Sequence, residues 1–379
     1  MYNEKHIVIN ALSAKRGGGK TYIENFISNI NVHQNLKISL LIYRDHDLNI
    51  DNPSISVICF RKIFKNPFIL YLWESLFLKK FLINLGAEIY FVPGGLVTNS
   101  LKNLNIKTVT MFRNMIPFDK KQRKKWPFGY MKLRNQLLNS ALSKSMVIAD
   151  LVIFISKYGQ KVILEDEKLK IKKHTIINHG VSNKFRTKSE DCSRKLKKLF
   201  QKEYILYPSI IDVYKSQKEL VHAYSLLHKR GIKLPNLYLV GQEYGSYAKE
   251  VRLLINNKNL DNKIFIIGEI NYKYIPYIYQ NSKFIIYASE SENCPNILLE
   301  SMAASKAIIC SSNEPMPEFG KDSVLYFNPN DIDDLANKIL LLLGDSLLTK
   351  KLETSAFNSS KFYDWKLTVQ KTVDQIMKL

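Results

Sequence analysis

The chain alternates short β-branched runs with longer helical periods, and it does so twice over. Strands are predicted in its first half at His6–Asn10, Ile38–Ile42, Ser56–Cys59, Ile89–Phe91, Lys107–Met111 and Leu151–Phe154, with helices between them at Thr21–Asn31, Phe68–Leu85 and Tyr130–Ala149. Ile176–Val181 reads as a last strand and exit turn. The polar, Lys-rich stretch Ser182–Lys202 reads as a linker followed by a surface helix. A second set of strands follows at Tyr204–Pro208, Asn236–Val240, Lys263–Ile267, Lys283–Ala288, Ala307–Cys310 and Val324–Phe327. Its helices are predicted at Gln217–Arg230, Gly245–Asn257, Tyr274–Gln280, Pro295–Ala304, Ile332–Leu343 and Leu347–Phe357. Ser359–Leu379 predicts a bend and a closing helix around Trp365. Such a pattern specifies an α/β protein with two Rossmann-like, doubly wound domains facing each other across a cleft. Their boundaries are expected at 1–183 and 184–358, with 359–379 as a closing C-terminal segment, and 379 residues suffice for two cores.

Composition narrows the function classes. No run of about 18 uncharged apolar residues occurs, so no transmembrane helix is expected. The most apolar tract, Phe68–Leu85, is interrupted by Glu74, Lys79 and Lys80. Met1–His6 runs straight into a strand and does not read as a signal peptide. Cys59, Cys192, Cys294 and Cys310 are scattered, with no Cys-x-x-Cys pair. Neither a zinc site nor a disulfide framework is suggested, and a reducing cytoplasm fits.

Against 56 Lys and Arg stand 34 Asp and Glu, a net charge of +22, which implies an anionic partner. The excess is concentrated: Leu101–Met146 holds eleven basic residues and one acid, Asp119. There Lys120–Lys125 lies beside Trp126, Phe128 and Tyr130, a composition suited to the headgroups of an anionic bilayer. A solvated basic loop is the competing reading. A nucleic-acid-binding protein is another, although no recognised nucleic-acid module is present.

The stretch with most chemistry in it is Ser289–Ala303. Two carboxylates, Glu292 and Glu300, flank the start of a helix, with Asn293 or Cys294 in the cap region and Pro295 at the first helical position. The stretch lies inside a βαβ unit, at the carboxyl end of the strand, where open α/β sheets bind ligands. A helix start offers unpaired N–H groups to anions, and carboxylates accept from sugar hydroxyls. A sugar joined to phosphate fits both, whereas two Glu eight positions apart also occur by chance.

Three further segments stand at strand ends. Gly17-Gly18-Gly19 precedes Lys20-Thr21, but a phosphate-binding P-loop needs a glycine at position 14, which is Ala14. The glycines still permit close approach of backbone or ligand. Lys215 follows the first strand of the second domain and can offset a diphosphate's charge, or it is one more solvated lysine. Arg113-Asn114 follows the strand Lys107–Met111, where Arg113 either meets an anion or belongs to the basic surface. His179-Gly180 reads as a structural histidine and a turn.

Taken in order, these segments resemble the family 4 (group 1) glycosyltransferases, retaining nucleotide-sugar enzymes of the GT-B fold. The family's Glu-x7-Glu signature is met by Glu292 and Glu300, with Leu298–Ala303 around it. Its lysine and following helix are met by Lys215 and Leu220–Tyr224, and its hinge turn by His179-Gly180-Val181. Gly17–Gly19, Gly241, Gly268 and Phe327–Asp331 also fall in step. The resemblance implies that Glu300 binds the donor's ribose and that Glu292, with the backbone at Cys294, Pro295, Asn296 and Ile297, holds the transferred sugar. Lys215 would neutralise the diphosphate. Gly241 and Gly268 would border the donor, and Gly17, Gly18, Gly19 and Asn114 the phosphates or acceptor. Arg113 stands where the family commonly has a histidine, and Ile210 where many members have a phosphate-binding arginine. A C-terminal helix crossing back to the first domain is implied as well.

The expected activity is a retaining hexosyl transfer from a nucleotide-sugar donor to a glycan acceptor, carried on a polyprenyl diphosphate, in O-antigen or capsule synthesis. No metal or cofactor is expected, nor a nucleic-acid partner. The expected place is the cytoplasmic face of the cell membrane, held there peripherally. A non-catalytic partner in a glycan assembly complex is the alternative.

Overall fold

The computed structural model describes residues 5–14, 17–30, 36–46, 48, 50, 52–101, 104–125 and 129–379. Trp126 and Phe128, which the basic-aromatic reading used, lie outside them, as do Met1–Glu4. The chain divides into two compact units, Met1–Gly180 with Trp365–Leu379, and Val181–Asp364. The division falls after Gly180 and again after Asp364, so the expected boundaries at 183 and 358 are displaced by three and six residues. The C-terminal helix belongs to the first unit, in keeping with the expected crossing back to the first domain.

The first unit is built on a seven-stranded, all-parallel sheet: β1 (Lys5–Asn10), β2 (Leu36–Tyr43), β3 (Ile55–Phe60), β4 (Ile89–Val92), β5 (Lys107–Phe112), β6 (Leu151–Phe154) and β7 (His174–Ile176). The spatial order is β3-β2-β1-β4-β5-β6-β7. Every residue of β4 and β6 is buried, as a strand covered on both faces requires. Helix α1 (Gly18–Asn29) packs through Phe26 on Phe91 and through Tyr22 on Trp365 of the C-terminal helix. The opposite face carries a core cluster around Val8, Tyr90, Val92 and Phe154, closed by Leu78, Leu82, Leu142 and Met146.

The predicted helix Phe68–Leu85 is two helices, α2 (Pro67–Leu76) and α3 (Leu78–Asn84). The joint is Phe77, whose φ of −119° departs from helical values. The break lets Leu78 and Leu82 enter the core while Leu76 and Phe77 stay exposed. Helix α4 (Tyr130–Ile148) matches its expected range to within one residue.

The second unit has a six-stranded parallel sheet of β8 (Tyr204–Pro208), β9 (Asn236–Val240), β10 (Ile264–Gly268), β11 (Ile285–Tyr287), β12 (Ile308–Ser311) and β13 (Leu325–Phe327). Their order is β10-β9-β8-β11-β12-β13. Its site-bearing helices are α5 (Gln217–Lys229) and α6 (Asn296–Ala303), and α7 (Trp365–Met377) closes the first unit. Both sheets reverse direction of winding next to their first strand, between β1 and β4 and between β8 and β11, which sets a ligand crevice at those carboxyl ends. Among the described residues, no helix is long and apolar enough to cross a membrane.

Candidate active site

Lys215 and Glu292 leave the two strands that flank the second unit's switch point. After β8 the Asp212 carboxylate accepts from Val213 N (2.7 Å) and starts a single 3₁₀ turn, Val213–Lys215. The Tyr207 hydroxyl donates to the Lys215 carbonyl, and Ser216 takes a left-handed conformation, φ 54°. That turn buries the Lys215 side chain. After β11 the chain is tied to the same turn: Glu290 N donates to Tyr214 O (2.8 Å), and Ser216 Oγ to Glu290 Oε1 (2.7 Å). The Lys215 ammonium donates to Glu292 Oε1, which also accepts from Tyr287 (2.5 Å) and Ser289 (2.6 Å).

Three donors therefore converge on one oxygen of a half-buried carboxylate, and the lysine is paired rather than solvated. Its ammonium also lies 4.9 Å from the Tyr214 ring centre and 5.5 Å from that of Tyr287. Burial first, then the charge on Glu292, pushes the Tyr287 and Tyr214 phenols up, so both stay protonated donors at neutral pH.

Glu300 has its own partners. It lies in the second turn of α6, and its carboxylate accepts from Tyr272 (2.7 Å) and Tyr279 (3.3 Å). Burial raises its pKa to about 7, against the lowering effect of those two hydroxyls. The two glutamates thus draw on different donors, Lys215, Tyr287 and Ser289 for one and Tyr272 and Tyr279 for the other. The cap of α6 is one residue later than expected. Pro295 is the cap itself, with φ −80° and ψ 75°, and the helix begins at Asn296. Proline has no side-chain acceptor, and no side chain caps this helix. Cys294 is buried, and Asn296 and Ile297 are half-buried at the first turn.

Gly241 has a packing reason to be glycine. A Cβ there would come within 2.1 Å of Ser209 O, so β9 ends pressed against the Ser209–Ile210 backbone that leads to Lys215. Gly241 N donates to Gly268 O (2.9 Å), and Gly268 holds φ +81°.

In the first unit, Gly18 and Gly19 form the first turn of α1 instead of a loop before it, and Gly17 caps it with φ +56°. Gly19 faces Arg113: a Cβ built on it would lie 3.8 Å from Nη1. Gly94, which follows β4, is closer still, 3.2 Å from Arg113 Cδ, with φ +94°. The guanidinium sits 5.5 Å over the Tyr22 ring, and Nη1 donates to Pro93 O at 3.5 Å. Asn114 is exposed beside it. His179 is buried in an aromatic stack, 5.3 Å from Tyr22 and 5.5 Å from Trp365.

Sequence reasoning missed Gly94, whose signal was present: Pro93-Gly94-Gly95 repeats the strand-then-glycine pattern of Gly17–Gly19. It also missed Tyr272, Tyr279, Tyr287 and Ser289, which only the fold brings to the two carboxylates.

Two parallel sheets of this topology, each with a switch point beside its first strand, make a doubly wound two-unit α/β architecture. The family described as Glycosyl transferases group 1 matches residues 188–359, nearly the whole second unit. That segment is similar to the group 1 glycosyltransferases, and the structure of the chain is a GT-B fold. O-antigen chain mannosyltransferase B of Escherichia coli is 23% identical over 252 residues, covering 65% of this chain and 66% of that protein. A Campylobacter jejuni N-acetylgalactosaminyltransferase acting on a diphospho-undecaprenol-linked sugar is 28% identical over 244 residues, 62% of each chain. The matches thus span less than two thirds of these relatives' lengths. Among solved structures, sucrose-phosphate synthase from Thermosynechococcus elongatus superposes with a TM-score of 0.80 at 15% identity, covering 99% of this chain and 98% of that one. Anabaena HepE in complex with UDP-glucose gives 0.76 at 16% identity, with 99% and 100% covered.

Proposed function

We propose that the protein is a retaining glycosyltransferase that moves a sugar from a nucleotide-sugar donor to a glycan acceptor carried on a polyprenyl diphosphate, in cell-surface polysaccharide synthesis. The observation that carries this reading is the buried Lys215–Glu292 pair between β8 and β11, on the loop that leads into the Glu300 helix. The acceptor part rests on the Campylobacter relative's lipid-linked substrate and on the +22 charge, which favours an anionic membrane surface.

In this reading the donor diphosphate takes Lys215 as its counter-charge, helped by backbone N–H groups at the start of α6. Glu300 accepts from the ribose hydroxyls, and Glu292, freed of part of its contact with Lys215, accepts from the sugar. The acceptor hydroxyl attacks on the face the diphosphate leaves, and a departing phosphate oxygen takes its proton. Arg113, with Gly17, Gly18 and Gly19, would border the acceptor.

Thermal shift against UDP-, GDP-, ADP- and dTDP-sugars should single out one nucleotide. Glu300→Gln should weaken that donor about tenfold, on the order of one lost charge-assisted hydrogen bond. Proton NMR should then show the donor's anomeric configuration kept in the product. An inverted centre, or an unchanged donor affinity in Glu300→Gln, defeats the assignment.

A further inference from the structure

Helix α2 packs on the core through Leu70 and Trp73 but leaves Phe68, Tyr71, Leu72 and Leu76 exposed. Its only buried residue is Glu74, while Phe68, Leu72 and Leu76, at i, i+4 and i+8, form an exposed stripe. Phe68 and Leu76 are each 68% exposed and Phe77, at the joint with α3, is 56% exposed, next to the exposed Lys79 and Lys80. Helix α4 repeats the arrangement. It buries Asn135, Leu142, Ser145 and Met146, and exposes Tyr130 (77%), Leu133 (58%) and Leu137 (63%) together with Arg134 and Lys144.

Both helices pack on the same face of the first sheet, through the same core: Leu70 and Trp73 from α2, Leu138, Leu142 and Met146 from α4. That layer therefore turns two apolar stripes outward, each flanked by cations. An ordinary monomer scatters such residues singly; exposed apolar residues repeated along one helix face, with exposed cations on the same helices, mark an interaction face.

We infer that the α2–α3 surface, with the outer stripe of α4, is where the protein seats on an anionic lipid bilayer. Aromatic and leucine side chains would enter the headgroup boundary while Lys79, Lys80, Arg134 and Lys144 meet lipid phosphates. Charge decides between occupants. A second copy would bring another strongly cationic chain against this basic rim, whereas an anionic bilayer supplies the opposite sign. The inference deepens the proposed function, since it gives the lipid-linked acceptor a place to be met.

The full-length protein is tested by sedimentation with vesicles containing phosphatidylglycerol and with vesicles of phosphatidylcholine alone. Binding should be at least tenfold tighter to the anionic vesicles. Phe68→Ser/Leu72→Ser/Leu76→Ser should lose at least tenfold, while Leu347→Ser, a still more exposed leucine of the second unit, should bind as the wild type does. Lys79→Gln/Lys80→Gln should weaken binding less and flatten its salt dependence. Equal binding of wild type and triple variant overturns the inference. So does a triple variant that changes only the sedimentation state, which would assign the face to self-association. Nucleotide-sugar thermal shift on the same samples separates the two proposals: donor binding lost in the wild type defeats the transferase reading without touching the vesicle result.

Discussion

The two sheets run the same course at their first strands and put opposite chemistry at the same topological place. Where β8 and β11 end, the second unit sets a fixed pair of charges, Lys215 and Glu292, braced by Tyr287 and Ser289. Where β1 and β4 end, the first unit sets bare backbone: Gly17–Gly19 after one strand and Gly94-Gly95 after the other. Arg113, a cation near both, follows the next strand and lies over the Tyr22 ring. The fold fixes the position of a site; the side chains decide its chemistry. A pre-paired charge suits a ligand whose phosphate can take over the lysine. Open backbone suits a ligand that must come close to the chain. The family match covers only the charged half.

The sharpest way to break this contrast is at Lys215. Lys215→Ala should lower transfer roughly 10²–10³-fold, the usual size of a lost electrostatic contact in a transition state. It should also lower stability by about 3–5 kcal/mol, because Glu292 is left without its cation. Adding Glu292→Gln should restore much of the stability and none of the rate. If the double variant recovered turnover, the lysine would matter only as a structural partner. Denaturant unfolding and initial rates on the same preparations decide it.

Gly94→Ala tests the first unit. Its Cβ would press on Arg113 Cδ at 3.2 Å from a left-handed backbone, φ +94°. Gly86, also left-handed at φ +66°, has nothing within 4 Å of its would-be Cβ. Gly86→Ala should therefore show only the backbone strain, about 1–2 kcal/mol. Gly94→Ala should show that strain plus a displaced guanidinium, seen as a further loss of stability and a raised acceptor KM. Equal effects at the two positions would mean that Arg113 moves aside freely.

The element pattern was legible because parallel strands buried on both faces are written as continuous apolar runs. β6, β8 and β9 begin and end at the predicted residues. The break at Phe77 was not legible, since no proline or glycine marks it and only the core's demand for Leu78 and Leu82 explains it. In the site, Lys215, Glu292 and Glu300 could be picked out by position relative to strands. What they touch could not: Tyr272 and Tyr279 reach Glu300 from 28 and 21 residues away, and Lys215 reaches Glu292 across 77. Chain separation of that size carries no local signal. Nor did the sequence show that Lys215 begins as half of an ion pair, or that α2 turns its one carboxylate inward.

That carboxylate gives the smallest expected effect and sharpens the contrast from the other side. Glu292 is buried with a lysine; Glu74 is buried with an amide. Asn10, the last residue of β1, donates to Tyr90 (2.6 Å) and to Glu74 Oε1 at 3.4 Å. Burial raises the Glu74 pKa to about 7 from 4.5, with the Asn10 contact pulling the other way. Below pH 4.5 the carboxyl is protonated both folded and unfolded and has no pH-linked effect. As pH rises from 4.5 to 7 the unfolded chain ionises first, so this group progressively destabilises the fold, fully so above pH 7. Glu74→Gln keeps an acceptor for Asn10 and removes the ionisation. It should stabilise the protein by about 1–2 kcal/mol at pH 8 and by much less at pH 5, a difference of a few degrees in Tm. The same substitution at Glu292 should do the reverse, since it strips Lys215 of its counter-charge. A Glu74→Gln gain of equal size at both pH values would show that the carboxyl is not held protonated by burial.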